Sequence, residues 1–270
     1  MKRPIKMFWS GGRNGWVNYG DCIGPALVEL LASRPVVYAG IHGCELLAAG
    51  SLLERYAGNR WRRAVALNLS RPLIWGTGSM HSGTAQSLGP AKVVSVRGRR
   101  TIAKYGMPAE TPIGDPGVLA HLLLRRADVP KSARWGIIPH LNDLADNAVR
   151  QLLERTPAAR LIDLSNPDIH AVTEEIAGCE HIASSSLHGL IAADSLEIPS
   201  FRLVVSDRVV GGDWKFDDYA SSVGDRRLMT RRLDPSLDLR EMERRLDFSY
   251  GGQVDDLKDS VLNAFRQLNL

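Results

Sequence analysis

The sequence predicts an α/β protein of two domains, each a parallel sheet wrapped by helices. Three observations carry this expectation. Short apolar runs alternate with amphipathic helical patterns along the chain, and parallel strands need such crossover helices because no tight turn can join them. The 270 residues suit one large α/β domain or two of roughly 130 residues. A polar stretch at residues 125–134, with Pro130 and little periodicity, divides the pattern into halves. We therefore expect a Rossmann-like N-terminal domain over residues 1–127 and a second over residues 133–270, facing each other across a cleft.

The elements follow in order. Residues 5–9 read as a strand, residues 11–20 as a glycine-rich loop, and a helix opens near Asp21 with Ile23, Ala26, Leu27, Leu30 and Leu31 on one face. Strands are expected at residues 36–41, 46–49, 64–67, 73–75 and 93–96, and a short helix at 101–105. In the second half, strands are expected at 135–138, 160–164, 181–184 and 199–205. Helices are expected at 147–154, after the Asn166-Pro167 turn with Ile169, Val172 and Ile176 inward, at 190–196, and at 254–268.

Composition narrows the function classes. Hydrophobic residues make up 44% and charged residues 24%, as in an ordinary folded protein. The net charge of +4 is spread along the chain and suits an anionic substrate or a loose approach to an anionic membrane surface, and no nucleic-acid motif accompanies it. The three cysteines, Cys22, Cys44 and Cys179, form no close pair, so neither a disulfide framework nor a zinc site is expected. The histidines make no metal-ligand spacing, and no catalytic metal is expected. The apolar stretch within residues 1–12 is too short for a signal peptide, and no run approaches the ~18 residues of a membrane span. A cytoplasmic protein is expected.

In open parallel sheets ligands bind beyond the carboxyl ends of strands. The foremost candidate there is Ser184-Ser185-Ser186-Leu187-His188-Gly189, between a strand and a helix. The histidine can exchange a proton near neutral pH. The glycine admits close backbone approach. The helix start presents N–H groups and a positive dipole end to an anion. Asp21 reads equally as a helix N-cap or as a base, and Asn18 as a substrate contact or a turn residue. His140 follows a strand and a proline. Gly76 and Gly78 allow close approach or make a turn. Trp214 and Tyr219, expected in a loop, could stack on a sugar ring or pack in the core.

These pieces resemble the polysaccharide pyruvyltransferase family. Ser185-Ser-Leu-His-Gly189, Leu190-Ile-Ala-Ala-Asp-Ser195 and Ile198-Pro199 are similar to its C-terminal motif, and Asn18-Tyr-Gly-Asp21 to its N-terminal loop. In family order come Trp75-Gly-Thr-Gly-Ser79, Val96-Arg97-Gly-Arg-Arg-Thr101, Gly114-Asp-Pro116, Ile138-Pro-His140 with Asp143, and Lys215-Phe-Asp-Asp-Tyr219. The likeness spans about residues 14–222.

The resemblance implies a phosphoenolpyruvate-dependent transferase of exopolysaccharide synthesis with a GT-B-like arrangement of its domains. Phosphoenolpyruvate is then a co-substrate, with no cofactor, and the acceptor is a sugar or lipid-linked oligosaccharide, met in transient contact with the inner membrane surface. His188 would be the general acid and Asp21 the base. Arg97, Ser185, Ser186, Leu187, Gly189, Asn18, Gly78, His140 and Lys215 would bind substrate. Some members carry an arginine where this chain has Ser186; Arg202 and Lys215 are the candidate substitutes. Two other readings share the architecture: a nucleotide-sugar-dependent glycosyltransferase, and a catalytically idle relative that binds a glycan or a partner.

Overall fold

The computed structural model describes residues 2–12, 15, 17–58, 71–224 and 226–270. Its strands form two five-stranded sheets. The first contains β1 (Ile5–Phe8), β2 (Val36–Tyr38), β3 (Leu46–Ala48), β4 (Leu73–Trp75) and β5 (Lys92–Ser95) in the order β2-β1-β3-β4-β5. The second contains β6 (Ala133–Ile138), β7 (Ala159–Leu161), β8 (Cys179–Ser184), β9 (Ser200–Val204) and β10 (Thr230–Arg232) in the order β10-β9-β8-β6-β7. All pairings between them are parallel. Counted from its own first strand, each sheet has the order 2-1-3-4-5. The halves thus repeat one doubly wound topology, although the sequence carries no visible repeat. In this order the winding reverses between the first and third strands of each sheet, and in such sheets ligands bind beyond the carboxyl ends of those strands. The loops after β1, β3, β6 and β8 therefore line the expected binding positions.

The helices are α1 (Tyr19–Ala32), α2 (Leu53–Ala57), α3 (Arg99–Tyr105), α4 (Asn147–Arg155), α5 (Ile169–Ala177), α6 (Leu187–Ser195), α7 (Trp214–Ala220), α8 (Leu239–Glu243) and α9 (Gly251–Arg266), with a 3-10 helix at Pro116–Leu123. The strand expected at residues 64–67 and part of the loop at 11–20 lie outside the described residues.

Three expectations change. The buried stripe of α1 is Ile23, Gly24, Leu27 and Val28, while Leu30 is 48% exposed. The helix is rotated because Gly24 sits against the end of β3: a Cβ there would lie 3.2 Å from the Ala49 Cβ. The strand expected at 160–164 is the shorter β7; past its end the Ile162 N–H still donates to the Ile137 carbonyl at 3.0 Å, and Ile162 and Leu164 are buried in the core. Trp214 and Tyr219 lie in helix α7, not in a loop. Tyr219 is fully buried with its hydroxyl 2.8 Å from Asp194 Oδ2, and Trp214 lies under the Arg100 guanidinium, so neither stands free to stack on a sugar.

The two halves share one apolar core, in which Ile23, Leu27 and Trp75 of the first meet Leu164, Val172, Leu190 and Val261 of the second. Polar contacts pin the seam. The Tyr19 N–H donates to the Leu164 carbonyl at 2.8 Å, the Tyr19 hydroxyl lies 3.0 Å from Thr173 Oγ1, and the Trp75 indole donates to the Val261 carbonyl of α9 at 3.1 Å. Among the described residues no helix is long and apolar enough to cross a membrane.

Candidate active site

The loop after β8 runs directly into α6. Its shape comes from serine hydroxyls. Ser184 Oγ accepts the Ser186 N–H at 3.0 Å and donates within the loop, and Ser185 Oγ accepts the His140 N–H at 2.7 Å. The last bond ties the β8 loop to the β6 loop. Gly189 is required by packing, since a Cβ there would fall 2.3 Å from Ser184 Oγ. Ser186 is the N-cap of α6 but makes no side-chain cap bond, so the first-turn N–H groups are not closed off by it.

His188, on that first turn, is only 12% exposed. Its ring lies against the α1 terminus: a Cβ on Gly20 would sit 2.2 Å from His188 Nδ1, so glycine is needed for the ring to dock. On the other edge, Nε2 faces Oδ2 of fully buried Asp115 at 3.6 Å. Among the described residues neither atom has a hydrogen-bond partner. The gap is slightly too long for a hydrogen bond. Asp115 is held in place by capping the 3-10 helix, its Oδ1 accepting the Gly117 N–H at 2.9 Å ahead of Pro116.

Asp21 proves not to be the N-cap. Asn18 holds that place, with extended backbone and Oδ1 accepting the Gly20 N–H at 3.2 Å, so α1 starts two residues before Asp21. The capping explanation for Asp21 therefore falls away. Burial pushes the Asp21 carboxyl up to about 6, opposed by the charge of His188, by hydrogen bonding from Asn18 and by Lys215. Lys215, buried on α7, is pushed down to about 8 by burial and then by the charges of Arg97 and Arg202. Burial, followed by Lys215, also lowers His140. The charges of His188 and Lys215 thus reach Asp21, and that of Lys215 reaches His140.

The Asp21 shift has a stability consequence. Its folded pKa lies above the ordinary value, so the folded state binds the extra proton and stability falls as pH rises from about 4 to 6. Above that range the cost is on the order of 2–3 kcal/mol. Asp21→Asn is expected to unfold several degrees higher than the parent at pH 7–8, with the gap closing toward pH 4. Parallel melting curves across that range would refute the buried, strained carboxylate.

Among the sequence-expected residues, the structure brings His188, Asp21, Asn18, Ser185, Ser186, Leu187, Gly189, His140 and Lys215 together. Arg97 and Gly78 play a different part. Arg97 is fully buried, and its guanidinium is spent on Asp218 Oδ2 at 3.0 Å, Ser51 Oγ at 2.7 Å and the carbonyls of Gly50 and Ser79. It has no open face for a ligand. Gly78 makes room for it, since a Cβ there would lie 2.5 Å from the Arg97 Cζ. Gly76, at φ 74°, fits against Pro116 in the same way. Sequence reasoning missed Asp115, which was legible only as part of a Gly-Asp-Pro turn.

Arg202 does come to the site. It lies on β9 in register with Ser184, the last residue of β8. Its guanidinium pairs with Asp213 at 2.6 Å, lies over the Phe216 ring and acts by its charge on Lys215. Among the described residues no group of three or more His, Cys, Asp or Glu is placed to hold a metal ion.

Fold and site define a doubly wound α/β protein that sets a largely buried imidazole and a perturbed carboxylate beside the start of a helix. The sequence profile of the polysaccharide pyruvyl transferase family matches residues 18–207, and the chain belongs to that family. It is 27% identical over 172 residues to the succinoglycan biosynthesis protein ExoV of Rhizobium meliloti, covering 62% of this chain and 52% of that protein. It is 32% identical over 114 residues to the uncharacterized protein L143 of Acanthamoeba polyphaga mimivirus, covering 42% of this chain and 40% of that protein. The matched part thus spans about half the length of these relatives, or less.

Proposed function

We propose that the protein transfers a pyruvyl group from phosphoenolpyruvate to two hydroxyls of a sugar in an exopolysaccharide or cell-surface glycan precursor, forming a cyclic ketal and releasing phosphate. The observation that carries this reading is His188, set on the first turn of α6 between Asp115 and the Asp21-bearing end of α1, within the family's Ser-Leu-His-Gly segment.

The chemistry follows from the residues. The phosphate and carboxylate of phosphoenolpyruvate need cations and N–H donors. Lys215, Arg202 and the first-turn N–H groups of α6 supply them. Protonated His188 gives a proton to the methylene carbon, and C2 becomes electrophilic. Asp115 faces Nε2 and fixes the orientation of the ring. One sugar hydroxyl attacks C2 while Asp21 accepts its proton. Phosphate then leaves with the C2–O electron pair, taking up the proton from Asp21. The second hydroxyl closes the ketal ring and returns a proton to His188. The acceptor enters between the two halves in this reading, as a GT-B-like arrangement would allow. Phosphoenolpyruvate is the co-substrate, no cofactor is needed, and the supply of that donor puts the reaction in the cytoplasm.

With Asp21 at about 6, turnover should rise through that pH as its carboxylate forms. The first test is thermal unfolding with phosphoenolpyruvate and, separately, with a panel of nucleotide sugars. A ligand that binds only the folded state raises Tm with its saturation. A rise with phosphoenolpyruvate that is lost in Lys215→Met supports the reading. A rise with nucleotide sugars alone would replace it with glycosyl transfer.

A further inference from the structure

The ion pair between Arg202 and Asp213 joins a buried cation to an acid in open water. Arg202 is 9% exposed, and its guanidinium lies 4.0 Å over the Phe216 ring. Asp213 meets it at 2.6 Å, yet the Asp213 side chain is 78% exposed. Among the described residues Arg202 pairs with no other carboxylate. Asp213 stands at the N-cap of α7, but its side chain makes no cap bond, so the contact with Arg202 is what holds it.

The chain just before Asp213 can turn. Gly211 and Gly212 have φ of 89° and 46°, a region open to glycine, and Val210 beside them is 57% exposed. The segment also lies against the site. A Cβ on Gly211 would fall 3.4 Å from the Lys215 Cδ and 2.7 Å from the Met80 Sδ of the first half.

The two members of the pair differ in what they gain from it. An ion pair whose acid stays in water contributes little, because solvent screens it and the side chain must be ordered. The guanidinium has left water and needs an anion. Phosphate or carboxylate oxygens set in its plane satisfy it better than one acid on an open segment. Asp213 is therefore the exchangeable member.

We propose that Asp213 is a stand-in for the donor: its carboxylate occupies Arg202 in the free protein, and an anionic group of the donor displaces it, turning the segment outward at Gly211 and Gly212. The inference rests on the pyruvyl-transfer reading above for the identity of the donor, and it adds a competitor carried by the chain itself. Arg202 keeps its orientation without Asp213, because Phe216 and its place on β9 beside Ser184 hold it. Removing the acid thus strengthens donor binding, where removing a positioning residue would weaken it.

The test is calorimetric titration with phosphoenolpyruvate, and with inorganic phosphate and pyruvate as its two anionic ends. The proteins compared are the parent, D213N, D207N, R202M and R202M/D213N. Asparagine is as good an N-cap as aspartate, and methionine keeps the packing on Phe216, so the variants should fold. Asp207 lies in the same loop and pairs with Arg232 at 2.9 Å, so D207N removes the same charge away from Arg202. D213N should bind phosphoenolpyruvate about two- to fivefold more tightly than the parent, the worth of an ion pair with an exposed partner. D207N should match the parent. R202M should bind more weakly, and adding D213N to it should bring no gain. Equal or weaker binding by D213N, the same gain in D207N, or a gain that persists without Arg202 would overturn the proposal. A gain with inorganic phosphate or with pyruvate supports it and tells which end of the donor meets Arg202. That gain without any binding of phosphoenolpyruvate would keep the exchange at Arg202 and sink the donor reading. Phosphoenolpyruvate binding with no gain in D213N would do the reverse, and no binding of any of the three anions would overturn both.

Discussion

His188→Gln is expected to fold like the parent and to release phosphate from phosphoenolpyruvate two to four orders of magnitude more slowly, on the order of what a positioned general acid contributes. Glutamine keeps a polar side chain of moderate size where the imidazole docks on Gly20, and its amide can still donate toward Asp115. It cannot hand a proton to carbon. Lost turnover would then report lost proton transfer, not a collapsed loop. Asp115→Asn should fall between the variant and the parent, because an amide beside Nε2 still orients the ring but offers no charge to it. Phosphate release is measured with acceptor present, and phosphoenolpyruvate affinity is checked by the Tm shift. Turnover of His188→Gln at the parental rate would remove His188 from the reaction.

Asp218→Ala is expected to destabilise the fold by about 3–5 kcal/mol, the range for breaking a buried ion pair by removing one partner. Asp218 and Arg97 are both fully buried and meet at 3.0 Å. Asp218 also accepts from the Thr101 N–H at 2.8 Å and the Thr101 hydroxyl at 2.6 Å. Its own carbonyl occupies the space where a Cβ on Gly98 would lie, at 1.8 Å, so α3 and α7 are riveted together at this point. Alanine would leave a guanidinium in the interior with no counter-charge. Urea denaturation measures the loss through the midpoint. The double variant R97M/D218L should be closer to the parent than Asp218→Ala alone, since it leaves no unpaired charge. A loss under about 1 kcal/mol for the single variant would mean that water reaches the guanidinium and that the rivet is not buried in solution.

Most of the strands were legible in the sequence because a strand is announced by contiguous residues. The apolar runs that became β1, β3, β4, β6, β8 and β9 each fill a core and must be apolar over a few neighbouring positions. Short elements were not legible. Helix α7 is seven residues long and carries Lys215, Asp217 and Asp218 among its aromatics, so its pattern is too brief to separate from a loop. The rotated face of α1 was also hidden, because Gly24 counts as buried only when β3 comes against it.

The candidate site divides in the same way. The α/β character, the strand–loop–helix setting of His188 and its grouping with Ser185 to Gly189 were readable from local sequence, because those residues are near neighbours in the chain. The strand order 2-1-3-4-5 in both sheets, which brings the loops after β1, β6 and β8 to one place, emerged with packing. Packing also decided that Asn18 and not Asp21 caps α1, that Asp115 faces His188 across 73 positions of chain, and that Arg97 is spent on Asp218 while Arg202 reaches the site. The reason is physical. Periodicity and capping are set by residues a few positions apart, whereas the role of a charged side chain depends on its desolvation and on the partner that meets it, and both arise only when distant segments pack.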